Sequence, residues 1–223
     1  MKKYIILSNN NFFKKKIKKK NYFFFFKKKE LKLSKLDKIK PDLIFVPHWN
    51  YKIDNKIISK YKTIIFHSTP LPYGRGGSPI QNMITRNHKK TTICAIEAKD
   101  ILDSGKIFIK RQMKLNGSAN EIYQRMYLVI LSMIKDLVKK LPKPKSQKGK
   151  IVIFKRRFPN QSVIKEKKYS LNKLYDHIRM LDYDREGFPK AYLNFKNLKI
   201  ILSNPKIQKN KIINCNATIK LTN

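Results

Sequence analysis

The feature that most constrains this chain is a short apolar run, Thr63–Phe66, that empties into His67 and a glycine- and proline-dense loop reaching Asn82. A continuous apolar run of that length, bounded by turn residues, is the pattern of a strand buried on both faces. The loop holds Pro70, Pro72 and Pro79, Gly74, Gly76 and Gly77, and a single basic residue, Arg75. Proline stiffens such a segment; glycine lets the backbone take a positive φ or lie close against a ligand. Open α/β sheets carry their chemistry at the carboxyl ends of buried parallel strands. The expectation is an α/β fold with His67 facing the site.

The flanking sequence supports a mostly parallel sheet. Tyr4–Leu7, Tyr22–Phe26, Leu43–Val46, Thr91–Glu97 and Ile107–Gln112 read as further strands. Helices are expected over Phe12–Lys20, Asn55–Tyr61, Ile80–Arg86 and Ala119–Lys140. The last opens with Ser118 and Glu121 in capping-box spacing and closes before Pro142. The turn Ser8–Asn11 lacks the Gly-x-Gly-x-x-Gly fingerprint of dinucleotide binding. The strand ending at Val46 leads into Pro47-His48-Trp49-Asn50-Tyr51, which carries the only tryptophan. This loop is either a second wall of the site or a cap on the core with a satisfied histidine.

Beyond Ser146–Lys150, read as a linker, the character changes. Ile151–Lys155, Ala191–Phe195, Leu198–Leu202 and Ile212–Ile219 are strand-like, with turns at Lys196-Asn197 and Asn204-Pro205. Leu171–Leu181 is an amphipathic helix. The division is therefore a Rossmann-like domain over 1–145 and a small β-rich α+β subdomain over 150–223.

The 223 residues carry a formal net charge of +38, yet only eight of the 52 basic residues are arginine. A phosphate-rich partner such as RNA would explain the charge. So would solvated lysine written by an AT-biased genome at permissive positions. The scarcity of arginine, whose planar fork suits nucleic acid, favours the second. Cys94 and Cys215 have no metal or redox spacing, which points to a reducing, cytoplasmic compartment. No run is long enough to be a signal peptide or a membrane span. No His, Asp, Glu or Cys group has metal-ligand spacing, so no metal is expected.

Lys99–Lys106 places Asp100 and Asp103 around Ile101-Leu102, before Ser104-Gly105. Asp103 could hold the imidazole of His67 in one tautomer while the histidine moves a proton. His88, in a surface turn, and His177, on the amphipathic helix, read as structural.

The segment Phe66-His67-Ser68-Thr69-Pro70-Leu71-Pro72-Tyr73-Gly74-Arg75-Gly76-Gly77-Ser78-Pro79-Ile80-Gln81, followed by Leu102-Asp103-Ser104-Gly105, resembles the formyltransferase family. Methionyl-tRNA formyltransferase, glycinamide ribonucleotide transformylase and the sugar N-formyltransferases share that pattern. The likeness extends from about Lys3 to Pro142. Phe154–Pro159, Tyr175–Asp182 and Gly187-Phe188-Pro189-Lys190-Ala191 resemble the carboxyl-terminal region of short sugar-type members. The resemblance implies 10-formyltetrahydrofolate as donor and a primary amine as acceptor, that of a nucleotide-linked amino sugar before that of methionyl-tRNA. It makes His67 and Asp103 catalytic. It assigns the donor to Pro47, His48, Trp49, Leu102 and Ser104, and the acceptor side to Arg75, Gly76 and Gly77. The family's asparagine two residues before the histidine is Ile65 here, which cannot donate to an oxyanion. Asn50 is the candidate replacement, ahead of Asn82 and Thr69. Ile65 also leaves open a catalytically impaired folate- or RNA-binding homologue. The helix and the β-rich appendage could build a homodimer face.

Overall fold

The computed structural model describes residues 1–165, 168–183, 189–208 and 211–222. Gly187 and Phe188 of the carboxyl-terminal motif lie outside the described residues. In chain order the strands and helices are β1 (Tyr4–Ser8), α1 (Phe12–Lys16), β2 (Tyr22–Phe25), α2 (Leu33–Ile39), β3 (Leu43–His48), α3 (Asn55–Lys60), β4 (Thr63–His67) and β5 (Tyr73–Gly76). There follow α4 (Pro79–Thr85), β6 (Lys90–Glu97), β7 (Ile107–Lys114), α5 (Ala119–Lys139), β8 (Val152–Phe154), α6 (Leu171–Arg179), β9 (Tyr192–Phe195), β10 (Leu198–Gln208) and β11 (Ile212–Leu221). Two compact units interleave along the chain. One gathers residues 1–76, 92–113 and 126–153; the other gathers 77–91, 114–125 and 154–223.

The first unit holds a six-stranded sheet in the order β2-β1-β3-β4-β6-β7. β1 runs parallel to β2 and β3, and β3 parallel to β4; β6 runs antiparallel to β4. β1, β3 and β4 are nearly continuous apolar runs because both their faces are covered, whereas β7 turns polar and exposed over Lys110–Gln112. On one face Ile5, Leu7, Ile44 and Val46 pack with Leu36 of α2 and Ile57 of α3. The alternate residues Tyr4 and Phe45 meet ring to ring, as do Phe45 and Phe66. Phe12 and Phe13 of α1 both contact the ring of Tyr127 on α5.

Helix α1 is shorter than the sequence pattern predicts. It ends at Lys16, and Ile17 is already extended. Lys14 to Lys16 and Lys18 to Lys20 would stack like charges on successive turns with no carboxylate among them, which disfavours continuation. β3 runs two residues further than expected, so Pro47 and His48 belong to the strand and not to the loop after it. The expected loop at Tyr73–Gly76 contains β5, which pairs with β8. The capping box at the start of α5 forms as predicted: Glu121 accepts from the Ser118 backbone at 2.8 Å and Ser118 Oγ accepts from the Glu121 backbone at 3.3 Å.

In the second unit β9, β10 and β11 form an antiparallel sheet. The turn expected at Asn204-Pro205 is instead an irregularity inside β10, where the register shifts between Ser203 and Lys206. Proline has no N–H for the ladder, and Asn204 takes a φ of 49° with its N–H on Asp182 Oδ2 at 2.8 Å, so the strand bulges and continues. α6 buries Arg179, which donates to Asp176 at 2.6 Å and to the carbonyls of Leu115 and Gly117 at 2.6 and 2.8 Å. His177 bonds the Ser162 carbonyl at 3.2 Å, a structural role. Among the described residues no helix is long and apolar enough to cross a membrane.

Leu36 is the buried residue of α2 and is fully enclosed. Leu36→Ala is expected to lower stability by about 2–5 kcal/mol, read from urea unfolding.

Candidate active site

His67 sits on the last residue of β4, directly opposite Cys94 in β6. Cys94 is fully buried, its Sγ lies 3.3 Å from the Thr69 carbonyl, and burial raises its thiol pKa. It is a core residue and not a nucleophile. The imidazole is fixed from the other side of the loop. Nε2 lies 2.8 Å from the carbonyl of Gly74. A carbonyl has no hydrogen to give, so Nε2 carries one and donates it. Gly74, at φ 81°, turns its carbonyl inward, where the Thr69 hydroxyl also donates to it at 3.1 Å. The tautomer expected to be set by Asp103 is therefore set by Gly74.

Asp103 comes to the other ring nitrogen. Its Oδ2 is 3.5 Å from His67 Nδ1, and both side chains are nearly buried, at 8% and 6% exposure. Oδ2 also accepts the Gly76 N–H at 2.9 Å. The backbone of Asp103 is left-handed, at φ 53°, a conformation a non-glycine residue keeps only when its surroundings hold it. One hold is Gly105. A Cβ there would lie 1.9 Å from the Glu97 carbonyl, so only glycine lets the loop lie this close to β6.

A second hold was not legible in the sequence. Gln147, in the segment read as a linker, donates to the carbonyls of Asp103 and Gly105 at 2.7 and 2.9 Å. Its side-chain oxygen accepts from Nε and Nη2 of Arg75 at 3.1 and 2.8 Å. A polar residue between prolines, lysines and a glycine gives no periodic signal; the mutual pairing of Lys145 and Ile107 that places it is tertiary.

The other predicted residues fall as follows. Val46 of β3 pairs with Ile65 of β4, two residues before His48 and His67, so the histidines leave adjacent strands at one level. His48 Nδ1 bonds the Tyr127 hydroxyl at 2.7 Å. Trp49 packs on the core cluster beneath β3 and stands edge-on to Tyr51. Its indole nitrogen is buried with no hydrogen-bond partner among the described residues. Asn50 is exposed, and its N–H is held by Asn9 Oδ1 at 2.7 Å. Leu102 is 66% exposed and its neighbour Ile101 71%, an uncommon placement for two adjacent large apolar groups. Ser104 closes that turn with its hydroxyl on the Ile101 carbonyl at 2.8 Å. Ile65 packs against the core on both sides of its strand.

In the second unit, Gly77 lies so close to Arg156 that a Cβ would sit 2.6 Å from its Cα. Packing accounts for that glycine. Asn82 donates to the carbonyls of Gly77, Ser78 and Lys155, which commits its amide. The Thr69 hydroxyl is likewise committed, to the Gly74 carbonyl. Among the described residues no three His, Cys, Asp or Glu side chains converge as a metal site.

A buried histidine–aspartate pair at the end of a strand, on a glycine-lined loop, can accept and return one proton. Comparison with known proteins gives the family. Methionyl-tRNA formyltransferase from Clostridium thermocellum is 38% identical, covers 99% of this chain and is itself covered completely, with a TM-score of 0.91. The chain belongs to the formyltransferase family. The profile described as "Methionyl-tRNA formyltransferase, C-terminal domain" matches residues 159–221. The methionyl-tRNA formyltransferase of Sulfurihydrogenibium sp. (strain YO3AOP1) is 28% identical over 193 residues, 82% of this chain. The chain spans 59% of that curated relative's length. HypX from Aquifex aeolicus, solved in complex with tetrahydrofolic acid, shares the fold at 17% identity and a TM-score of 0.71, over 91% of this chain and 37% of that one. The six-stranded sheet and β-rich carboxyl-terminal part match the α/β architecture the sequence predicts.

Gly105→Ala is expected to push the Asp103 loop off β6 and cost about 1–3 kcal/mol, the usual range for overpacking. Thermal unfolding and the shifts of the His67 ring protons check both effects.

Proposed function

We propose that this chain transfers a formyl group from 10-formyltetrahydrofolate to a primary amine. The His67–Asp103 pair, 3.5 Å apart and nearly buried, carries the reading. The donor supplies the formyl carbon, bonded to its N10 nitrogen. Two features fit such a molecule. Ile101 and Leu102 present apolar surface that a flat ring would cover, and the indole N–H of Trp49 has no acceptor among the described residues.

With Nε2 committed to Gly74, Nδ1 is the nitrogen that takes the proton lost by the amine as its new C–N bond forms. The Asp103 carboxylate stabilises the imidazolium that results. The proton is then returned to the nitrogen that loses the formyl group, so one C–N bond forms and one breaks. Asn50 is the proposed donor to the developing oxyanion. Losing one such donor costs roughly 3 kcal/mol, so turnover with Ile65 in the asparagine's place should be slow unless Asn50 serves.

The acceptor read first from the sequence is a nucleotide-linked amino sugar. Likeness over the full chain to a methionyl-tRNA formyltransferase moves methionyl-tRNA ahead of it in this reading, and the charge of +38 suits a polyanion. The amino sugar stays as the second reading because Arg75, held on one edge by Gln147, can grip one small phosphate with its other.

Tetrahydrofolate release from 10-formyltetrahydrofolate, with charged initiator methionyl-tRNA or a nucleotide-linked 4-amino sugar, tests this. Release with the tRNA alone is expected. Release with the sugar alone reverses the order of acceptors, and release with neither overturns the transfer reading. His67→Ala and Asp103→Asn should each lower the rate by about 10²- to 10⁴-fold, the range of general acid–base catalysis.

A further inference from the structure

Gln147 closes a ring of contacts through the candidate site. Starting at Asp103, the carboxylate holds the N–H of Gly76; the chain leads back one residue to Arg75; its guanidinium donates to Gln147; and Gln147 donates to the carbonyl of Asp103. The amide fits in one orientation. Arginine has donors and no acceptor, and a carbonyl has acceptors and no donor, so Oε1 must face Arg75 and Nε2 must face Asp103 and Gly105. All four hydrogen-bonding positions of the side chain are used. The segment that bears it is itself fixed, because Lys145 and Ile107 exchange backbone hydrogen bonds at 2.8 and 2.9 Å two residues before it.

We propose that Gln147 is a positioning residue, one that sets Asp103 against His67 and ties that setting to Arg75. The left-handed backbone at Asp103 needs a hold on its own carbonyl, and Gln147 gives it one there and another at Gly105. An acceptor phosphate drawn to the open edge of Arg75 then acts on the same ring that aims the aspartate. The inference deepens the formyl-transfer reading of this site, and its kinetic arm rests on that reading.

The test uses the full chain with Gln147→Glu and Gln147→Met. Glutamate still accepts from Arg75 but cannot donate to the two carbonyls; methionine does neither. For Gln147→Glu the expected result is a fall in kcat of about 10- to 100-fold, the loss of one to two hydrogen bonds, with the amine KM changed less than about threefold. Gln147→Met should lower kcat and also raise the amine KM. The pH titration of the His67 ring, followed by NMR without donor or acceptor, should move in Gln147→Glu. It should move the same way in Arg75→Lys, which leaves Gln147 intact but loosens its grip. The NMR arm decides the link even if no formyl transfer is found. An unchanged His67 titration in both Gln147→Glu and Arg75→Lys overturns the proposal. So does a Gln147→Glu protein that turns over at the wild-type rate. If Gln147→Glu fails to fold, Arg75→Lys alone decides.

Discussion

The candidate site depends on one strand acting as a common reference. β6 holds His67 through its antiparallel pairing with β4, in which His67 faces Cys94. Three residues further along, the same strand receives the Asp103 loop, whose Gly105 lies against the Glu97 carbonyl. Just beyond that glycine the Lys106 carbonyl accepts a hydrogen bond from the Glu97 N–H at 2.9 Å. Both members of the histidine–aspartate pair are thus measured from the backbone of a single buried strand. Backbone ladders are stiff compared with side-chain contacts, and this is why two groups from distant parts of the sequence meet at a fixed distance.

The loop after β4 does more than connect. Gly74 offers its carbonyl to the imidazole and Gly76 offers its N–H to the carboxylate, so consecutive turns of backbone complement each partner with the opposite polarity. Ile65, which would be an asparagine in related enzymes, packs into apolar clusters on both sides of the strand. The candidate site therefore combines a histidine–aspartate pair held by backbone groups with an apolar residue at position 65.

Basic residues divide by type. The arginines hold specific acceptors: Arg75 on Gln147, Arg86 on Asn82, Arg111 on Asp136, Arg125 on the carbonyls of Lys114 and Asn116, and Arg179 on Asp176 and two carbonyls. Lysines supply most of the charge from exposed positions, with a few bridged to carboxylates, as at Lys52–Asp100 and Lys60–Asp37. That division follows from chemistry. A planar guanidinium meets several acceptors in fixed directions, whereas an ammonium on a flexible stem is most stable in water. The charge can therefore vary by lysine gain without disturbing the fold.

What the sequence by itself determined was most of the elements and the two loops that carry His67 and Asp103. Apolar runs of four or five residues bounded by turn residues read as buried strands, and the histidine and aspartate loops carry their residue types openly. Glycines at 74, 76 and 105 were likewise visible as places where backbone must bend or approach. Tertiary structure decided the rest. The strand at Tyr73–Gly76 depends on its pairing with β8, and the bulge at Asn204-Pro205 on Asp182 as well as on the proline. The tautomer of His67 and the hold on Asp103 come from Gly74 and Gln147, a carbonyl and an amide whose importance lies wholly in where they are placed. A short apolar pattern reports burial, but a lone polar side chain reports nothing until its partners are brought to it across the fold.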